Sequence, residues 1–318
     1  ERMMHQLWKL KLIPKIEIIY DKSEKTLPDI LKEEFQIQNS YLLKKRNIPD
    51  VLAAEYGNLF KINWVTGQKT GFFIDQSITS QELSSRLLAY QRQFPEGYSN
   101  SLQNLFDSHD TPRLATLIKN PGAPYNPDRY PDPNYSIEAL NDKEFNLLTL
   151  MVAFQFSWPG APMVFYGTEA GMWGADDPDD RKPMVWEDIL YEPEQAHPYG
   201  RARNIDSVGF KAEYYQLYKS LSHIRKNSKA LQVGDLRLLP SSSKSLVFIR
   251  SWEQEQVLVV INRGEREEKV SISNWNQAQG EWILAYTLTP SKVQAIEKAF
   301  DGNTFSIAPY SFAIYRRN

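Results

Sequence analysis

The stretch LFDSHDTPR, residues 105–113, carries an apolar run into an acid, a hydroxyl, an imidazole and a second acid before Thr111-Pro112 breaks the backbone. Acids and an imidazole at the end of a buried strand suit the handling of protons or hydroxyl groups. A loop Asp or His can equally serve as a local cap or hydrogen-bonding group. Ser108, His109 and Asp110 do not form a nucleophilic triad, because three adjacent side chains cannot converge on one point. A second short apolar run, APMVFYG at 161–167, likewise ends in polar groups, Thr168 and Glu169. It leads into GMWGADDPDDRKPMVWED, residues 171–188, where Asp176, Asp177, Asp179 and Asp180 crowd against Arg181 and Lys182. Such a loop could be no more than a solvated run of weak ion pairs. Its acids suggest calcium, but their spacing does not match the EF-hand pattern, and no metal ligand is assigned.

Elements of two kinds must position these groups. SITSQELSSRLLAYQRQF, from Ser77, opens with a capping signal, Thr79 or Ser80 followed by Glu82, and places Leu83, Leu87 and Leu88 at helical spacing. SLQNLF reads as a buried strand, and residues 119–140, with five prolines, as a long surface loop. Asn141 and Glu144 form a helix start, and the helix runs to about Trp158. APMVFYG is expected to be a buried parallel strand. Polar groups therefore leave the C-terminal ends of two helix-linked strands, where α/β folds place their sites. A further helix, marked by Tyr214, Leu217, Leu221 and Ile224, ends near Ala230. From Leu231 the hydrophobic period changes to two, and short strands with turn signals between them predict a separate all-β sandwich.

The bulk composition narrows the classes. The 318 residues carry 37 basic and 39 acidic side chains, net charge −2, which gives no electrostatic case for nucleic acid as a partner. There is no cysteine, and the four histidines are scattered, so thiolate and His-rich metal sites are excluded or disfavoured. No apolar stretch reaches the roughly 20 residues of a membrane helix, so no membrane partner is expected. No signal-peptide pattern follows Glu1, which favours a cytoplasmic over a secreted location, although the natural N-terminus need not be present. Aromatics make up 13% of the chain and would suit flat ligand faces such as sugars, or fill the core.

Taken in order, SITSQEL, FPEGYSN, LFDSHDTPRL, PGAPMVFYGTEAGMWGADDPDDRKPMVW and YEPEQAHPYGRAR resemble the C-terminal half of the α-amylase family of glycoside hydrolases, near its neopullulanase, cyclomaltodextrinase and α-glucosidase-like members. The resemblance implies an α/β fold in which 77–231 supply the C-terminal part of a (β/α)8 barrel and 232–318 a C-terminal β-sandwich. It implies a maltooligosaccharide or α-glucan substrate and no cofactor. Asp110 matches the family's third catalytic carboxylate, which stabilises the oxocarbenium-like transition state by gripping neighbouring sugar hydroxyls. His109 matches the histidine that binds the same sugar, and Arg113 would order the acids or a neighbouring subsite. Asp107 and Ser108 receive no role.

A retaining glycosidase also needs a nucleophile and a proton donor roughly 5 Å apart, and no residue before Ser77 matches either motif. KIEIIYDKSEKTL and GNLFKINWVTGQKTGFFIDQ instead resemble part of the S-adenosylmethionine-dependent methyltransferases of large-subunit ribosomal RNA. That resemblance covers about 8–76 and implies cofactor contacts at Gln68, Thr70, Phe72 and Asp75. The segment lacks the Gly-rich cofactor loop, so S-adenosylmethionine would be a ligand only of a complete segment. The expectation is a join near 76/77: an incomplete methyltransferase-like segment at 1–76 before an incomplete, inactive hydrolase. The alternatives are an RNA methyltransferase and a non-catalytic glucan-binding protein.

Overall fold

The computed structural model describes residues 71–74, 76–91, 98–121, 134–272, 281–288, 299–300 and 304–317. Gln68, Thr70 and Asp75 lie outside them, as does most of the segment read as methyltransferase-like.

Helix α1 (Ser80–Gln91) begins as its cap predicts, with the Glu82 amide donating to Thr79 Oγ1 at 3.1 Å. Leu83 and Leu87 are buried from its inner face. Strand β1 (Gln103–Leu105) follows, then the short helix α2 (Leu114–Lys119), helix α3 (Asp142–Ser157) and strand β2 (Ala161–Met163). β1 and β2 pair in parallel, Gln103 opposite Ala161 and Leu105 opposite Met163. The loop expected over 119–140 is packed at both described ends. Asn120 exchanges two hydrogen bonds of 2.7 Å with the Ser136 backbone, and Tyr135 and Ile137 are buried.

α3 starts in a capping box: Asn141 accepts from the Glu144 amide, and Glu144 accepts from the Asn141 amide. Every residue from Leu148 to Ser157 is buried, so this helix has no solvent face in its second half. Its buried Gln155 donates from Nε2 to Asn104 O at 2.7 Å and to Met163 O at 2.9 Å, cross-linking both strands. The turn from α3 into β2 needs glycine. Gly160 has φ +113°, and a Cβ there would lie 2.5 Å from Asn104 Oδ1.

β2 is parallel, as expected, but not buried. Met163 and Val164 are 44% and 37% exposed, because among the described residues β2 is paired on one edge only. The last helical stretch also differs from its prediction. α4 (Ala212–Lys226) stops at Asn227, and Ser228 accepts from the Leu231 amide at 3.1 Å to start α5 (Lys229–Val233).

Eight strands follow: β3 (Asp235–Leu238), β4 (Ser245–Trp252), β5 (Glu255–Asn262), β6 (Glu268–Ser271), β7 (Trp282–Leu288), β8 (Ala299–Phe300), β9 (Thr304–Ile307) and β10 (Ser311–Arg317). Six form an antiparallel sheet in the order β3-β4-β5-β10-β7-β8, and β6 pairs with β9. The alternation of side chains then serves two cores. Val247, Ile249, Leu258, Val260 and Tyr315 meet Val270, Phe305 and Ile307, the interior expected of a sandwich. The opposite face, including Phe248, Val257, Val259, Ile261 and Phe312, is continuous with the core around α1, α3 and α4. One of the two faces of the β-rich region is therefore a wall of the helical core.

Phe72 and Phe73, in the segment read as methyltransferase-like, belong to that same core. Both are fully buried, their rings 4.9 Å apart edge to face, and Phe73 lies 5.7 Å from Phe154 of α3. The Arg263 guanidinium covers the Phe72 ring at 4.2 Å and donates to Ile78 O at 2.8 Å. Phe72 is thus packed in the core, and no surface of it is open. Backbone contacts also span the expected join at 76/77, with the Ile78 amide donating to Gly71 O at 3.3 Å and the Gly71 amide to Ser77 Oγ at 3.0 Å.

Candidate active-site face

The loop leaving β1 is built around Asp107. Its buried carboxylate accepts from Thr168 Oγ1 at 2.6 Å and from the Leu114 amide at 2.9 Å, joining the loop after β1 to the loop after β2 and to the first turn of α2. Burial pushes its pKa up, against the pull of those two donors and of Arg113. Beyond Asp107 the chain makes a tight turn. The Ser108 amide donates to Thr111 Oγ1 at 2.9 Å, and the Asp110 amide to Ser108 Oγ at 3.2 Å. That turn lifts His109 and Asp110 outward.

His109 Nε2 lies 3.2 Å from Asp110 Oδ2, and the two side chains are 61% and 73% exposed. Arg181, from the loop after β2, reaches the same carboxylate: its Nη2 is 3.8 Å from Asp110 Oδ1, while its Nε holds Asp177 Oδ1 at 2.8 Å. Asp110 therefore stands at the open end of β1 between an imidazole and a guanidinium, with its oxygens accessible. Such a group can accept hydrogen bonds from ligand hydroxyls and stabilise a positive charge developing beside it.

Arg113, expected to order the acids or a neighbouring subsite, lies within the loop junction near Asp107 rather than at the exposed end. It is fully buried, so it touches no ligand at this face. Its guanidinium lies 4.6 Å from the Phe165 ring centre and 4.9 Å from that of Tyr166, and Nη1 donates to Tyr166 O at 2.6 Å. Its amide donates to Gly174 O at 3.0 Å. Arg113 is thus a strut between the two strand-end loops. Gly167 makes room for it: with φ +85°, a Cβ there would come 3.3 Å from Arg113 Nη1 and 2.2 Å from Met172 Sδ.

The acid-rich loop divides its labour. Asp179 accepts from the Ala175 amide at 2.7 Å and pairs with Lys182 at 3.1 Å. Lys182 also meets Glu194 at 2.6 Å, and Glu194 meets Arg203 at 3.2 Å, fastening the following strap. Asp180 is fully buried with neither oxygen hydrogen-bonded among the described residues, and desolvation raises its pKa to about 6. Among the described residues no group of three or more His, Asp or Glu side chains could hold a metal.

Sequence reasoning missed three participants: Asp107 and Thr168, whose bond spans 61 positions, and Arg181, whose neighbourhood with Asp110 is set only when the two loops meet. The repeated polar ends of β1 and β2 were the one available signal for such a meeting.

A strand pair in parallel register, with helices packed on it and polar side chains at the strands' C-terminal ends, is the arrangement in which β/α folds place their sites. The family described as alpha amylase, catalytic domain, matches residues 53–234, more than half of the chain, and the protein belongs to that family. The match starts upstream of the join expected at 76/77, and nothing found supports the methyltransferase resemblance. The chain is 27% identical over 246 residues to the cyclomaltodextrinase of Geobacillus thermopakistaniensis (strain MAS1), covering 77% of this chain and 34% of that protein. It is 29% identical over 199 residues to neopullulanase 2 of Thermoactinomyces vulgaris, covering 62% of this chain and 27% of that one. It thus spans about a third of the length of these relatives or less. Among solved structures, the cyclic alpha-maltosyl-(1→6)-maltose hydrolase of Arthrobacter globiformis superposes with a TM-score of 0.52 at 21% identity, covering 77% of this chain and 42% of that chain. The Nostoc punctiforme debranching enzyme gives 0.52 at 17%, covering 82% and 45%. These likenesses show the fold: a (β/α)8 catalytic barrel with a β-sheet domain.

Proposed function

We propose that this chain carries the transition-state-stabilising corner of a retaining hydrolase or transglycosylase of α-glucosidic bonds in maltooligosaccharides or related glucans. The observation that supports the reading most directly is Asp110, exposed at the end of β1 with His109 at 3.2 Å and Arg181 at 3.8 Å. In double displacement the reacting sugar ring gains positive charge, and a carboxylate held beside it by hydroxyl contacts lowers that barrier. His109 binds the same sugar, and Arg181 with Asp177 flanks it. The groups that break the bond, a carboxylate nucleophile and a protonated acid, match nothing in residues 1–76. By itself the chain is then a glucan-binding half-site without turnover.

Two measurements test this. Release of nitrophenol from a nitrophenyl α-glucoside is expected to stay at the buffer blank, and turnover that disappears in Asp110→Ala would refute the inactivity. An amine-bearing glucose analogue, which carries the positive charge of the transition state, is expected to bind at least about 10-fold more weakly to Asp110→Ala, the scale of one lost charge-assisted hydrogen bond. Equal affinity for both proteins would remove Asp110 from the role.

A further inference from the structure

A second concavity lies along the same loop. Arg181 reaches Asp110, whereas the next residue, Lys182, lines a cleft of about 380 Å3 whose walls include Trp173, Val185 and Tyr191 and whose polar groups are Lys182, Glu192 and Glu194. That volume falls in the roughly 300–1,000 Å3 range of small-molecule sites. Neither His109 nor Asp110 is among its lining residues.

Its chemistry is specific. The walls are mostly apolar and aromatic, and Tyr191 is fixed as a wall because its hydroxyl accepts from the Trp186 amide at 2.8 Å. The ammonium of Lys182 is already neutralised, by Asp179 at 3.1 Å and Glu194 at 2.6 Å. An anionic ligand would find no free cation there among the described residues and would face Glu192. The backbone leaves space at Gly209, where a Cβ would meet no heavy atom within 4 Å.

We propose that this cleft is a second carbohydrate site, taking one or two neutral pyranose rings with an apolar sugar face against the aromatic wall and hydroxyls toward Glu192 and Glu194. The choice of a glucosyl ligand rests on the function proposed above; the existence of a site apart from Asp110 does not. Its role is to hold a glucan chain beside the reacting corner without contributing to bond breaking.

Calorimetric titration of the full chain with maltose tests it, with folding of each variant checked by circular dichroism. Gly209→Leu fills the cleft where the backbone has room, Tyr191→Ala removes part of its wall, and Asp110→Ala empties the other site. Maltose binding retained in Asp110→Ala, and weakened at least about 10-fold in both Gly209→Leu and Tyr191→Ala, supports the proposal. Binding lost in Asp110→Ala, or unchanged in a folded Gly209→Leu, overturns it. The amine-bearing glucose analogue separates the two readings. If it binds through Asp110 while maltose shows no dependence on Gly209, the cleft falls and the proposed function stands; if neither sugar binds the folded wild type, both fall.

Discussion

Asp107 and Asp180 are two fully or nearly buried acids a few residues from the candidate site, and they meet desolvation in different ways. Asp107 has two hydrogen-bond donors, whereas Asp180 has none among the described residues and is pushed up to about 6 from an ordinary 3.8. An acid with a raised native pKa holds its proton more tightly when folded. Ionisation adds no cost well below pH 3.8, where both states are protonated, and costs stability progressively as pH rises from there to about 6. Asp180→Asn is therefore expected to gain stability relative to wild type as pH rises from 4 to 7.5. Urea unfolding of both proteins at the two pH values measures it, and a pH-independent difference would show that Asp180 does not titrate in this window. At this scale the sequence was legible only where chemistry is local to one motif. His109 and Asp110 stand out within LFDSHD, and the structure does expose them at a strand end. The burial of Arg113 between Phe165 and Tyr166, and the bond from Thr168 to Asp107, depend on contacts more than 50 positions apart, and nothing in either segment alone announces them.

Among the elements, α3 shows what a short sequence signal can determine. Asn141 and Glu144 satisfy each other's amides within one turn, so the helix start is readable without knowledge of the fold. Asn141→Ala is expected to cost about 1 kcal/mol, seen as a lower denaturation midpoint at unchanged m-value. A loss far larger would mean the cap also positions Lys119, which meets Glu144 at 3.0 Å. The other end of the helical region was not readable in the same way. The apolar spacing continues from Tyr214 to Ala230, but Ser228 captures the Leu231 amide and splits the run into α4 and α5. Strand existence was also visible from the period of two, but strand order was not. β10, last in sequence, inserts between β5 and β7.

At the scale of the molecule, the shared core matters most. Because Phe248, Val257, Val259, Ile261 and Phe312 face the helices, residues 235–317 cannot bury both sheet faces alone. Produced in isolation, that segment is expected to bind a hydrophobic dye and to self-associate with rising concentration; a monomeric, cooperatively unfolding product would show that the helical wall is dispensable. Arg250 ties the same boundary, fully buried and donating to Ser157 O at 2.8 Å and Gly234 O at 2.9 Å, with desolvation lowering its pKa to about 9.

The clamp of Arg263 over Phe72 extends this boundary toward the N-terminus. It means that the chain cannot be exchanged for foreign sequence at an arbitrary point upstream of α1. A recombination breakpoint at Ser77 would carry off two aromatic rings, leave a void beside Phe154, and present a guanidinium to a space that had held its ring partner. Grafts that keep residues 71–74 retain that packing, and the α-amylase family match already begins upstream of them, at residue 53.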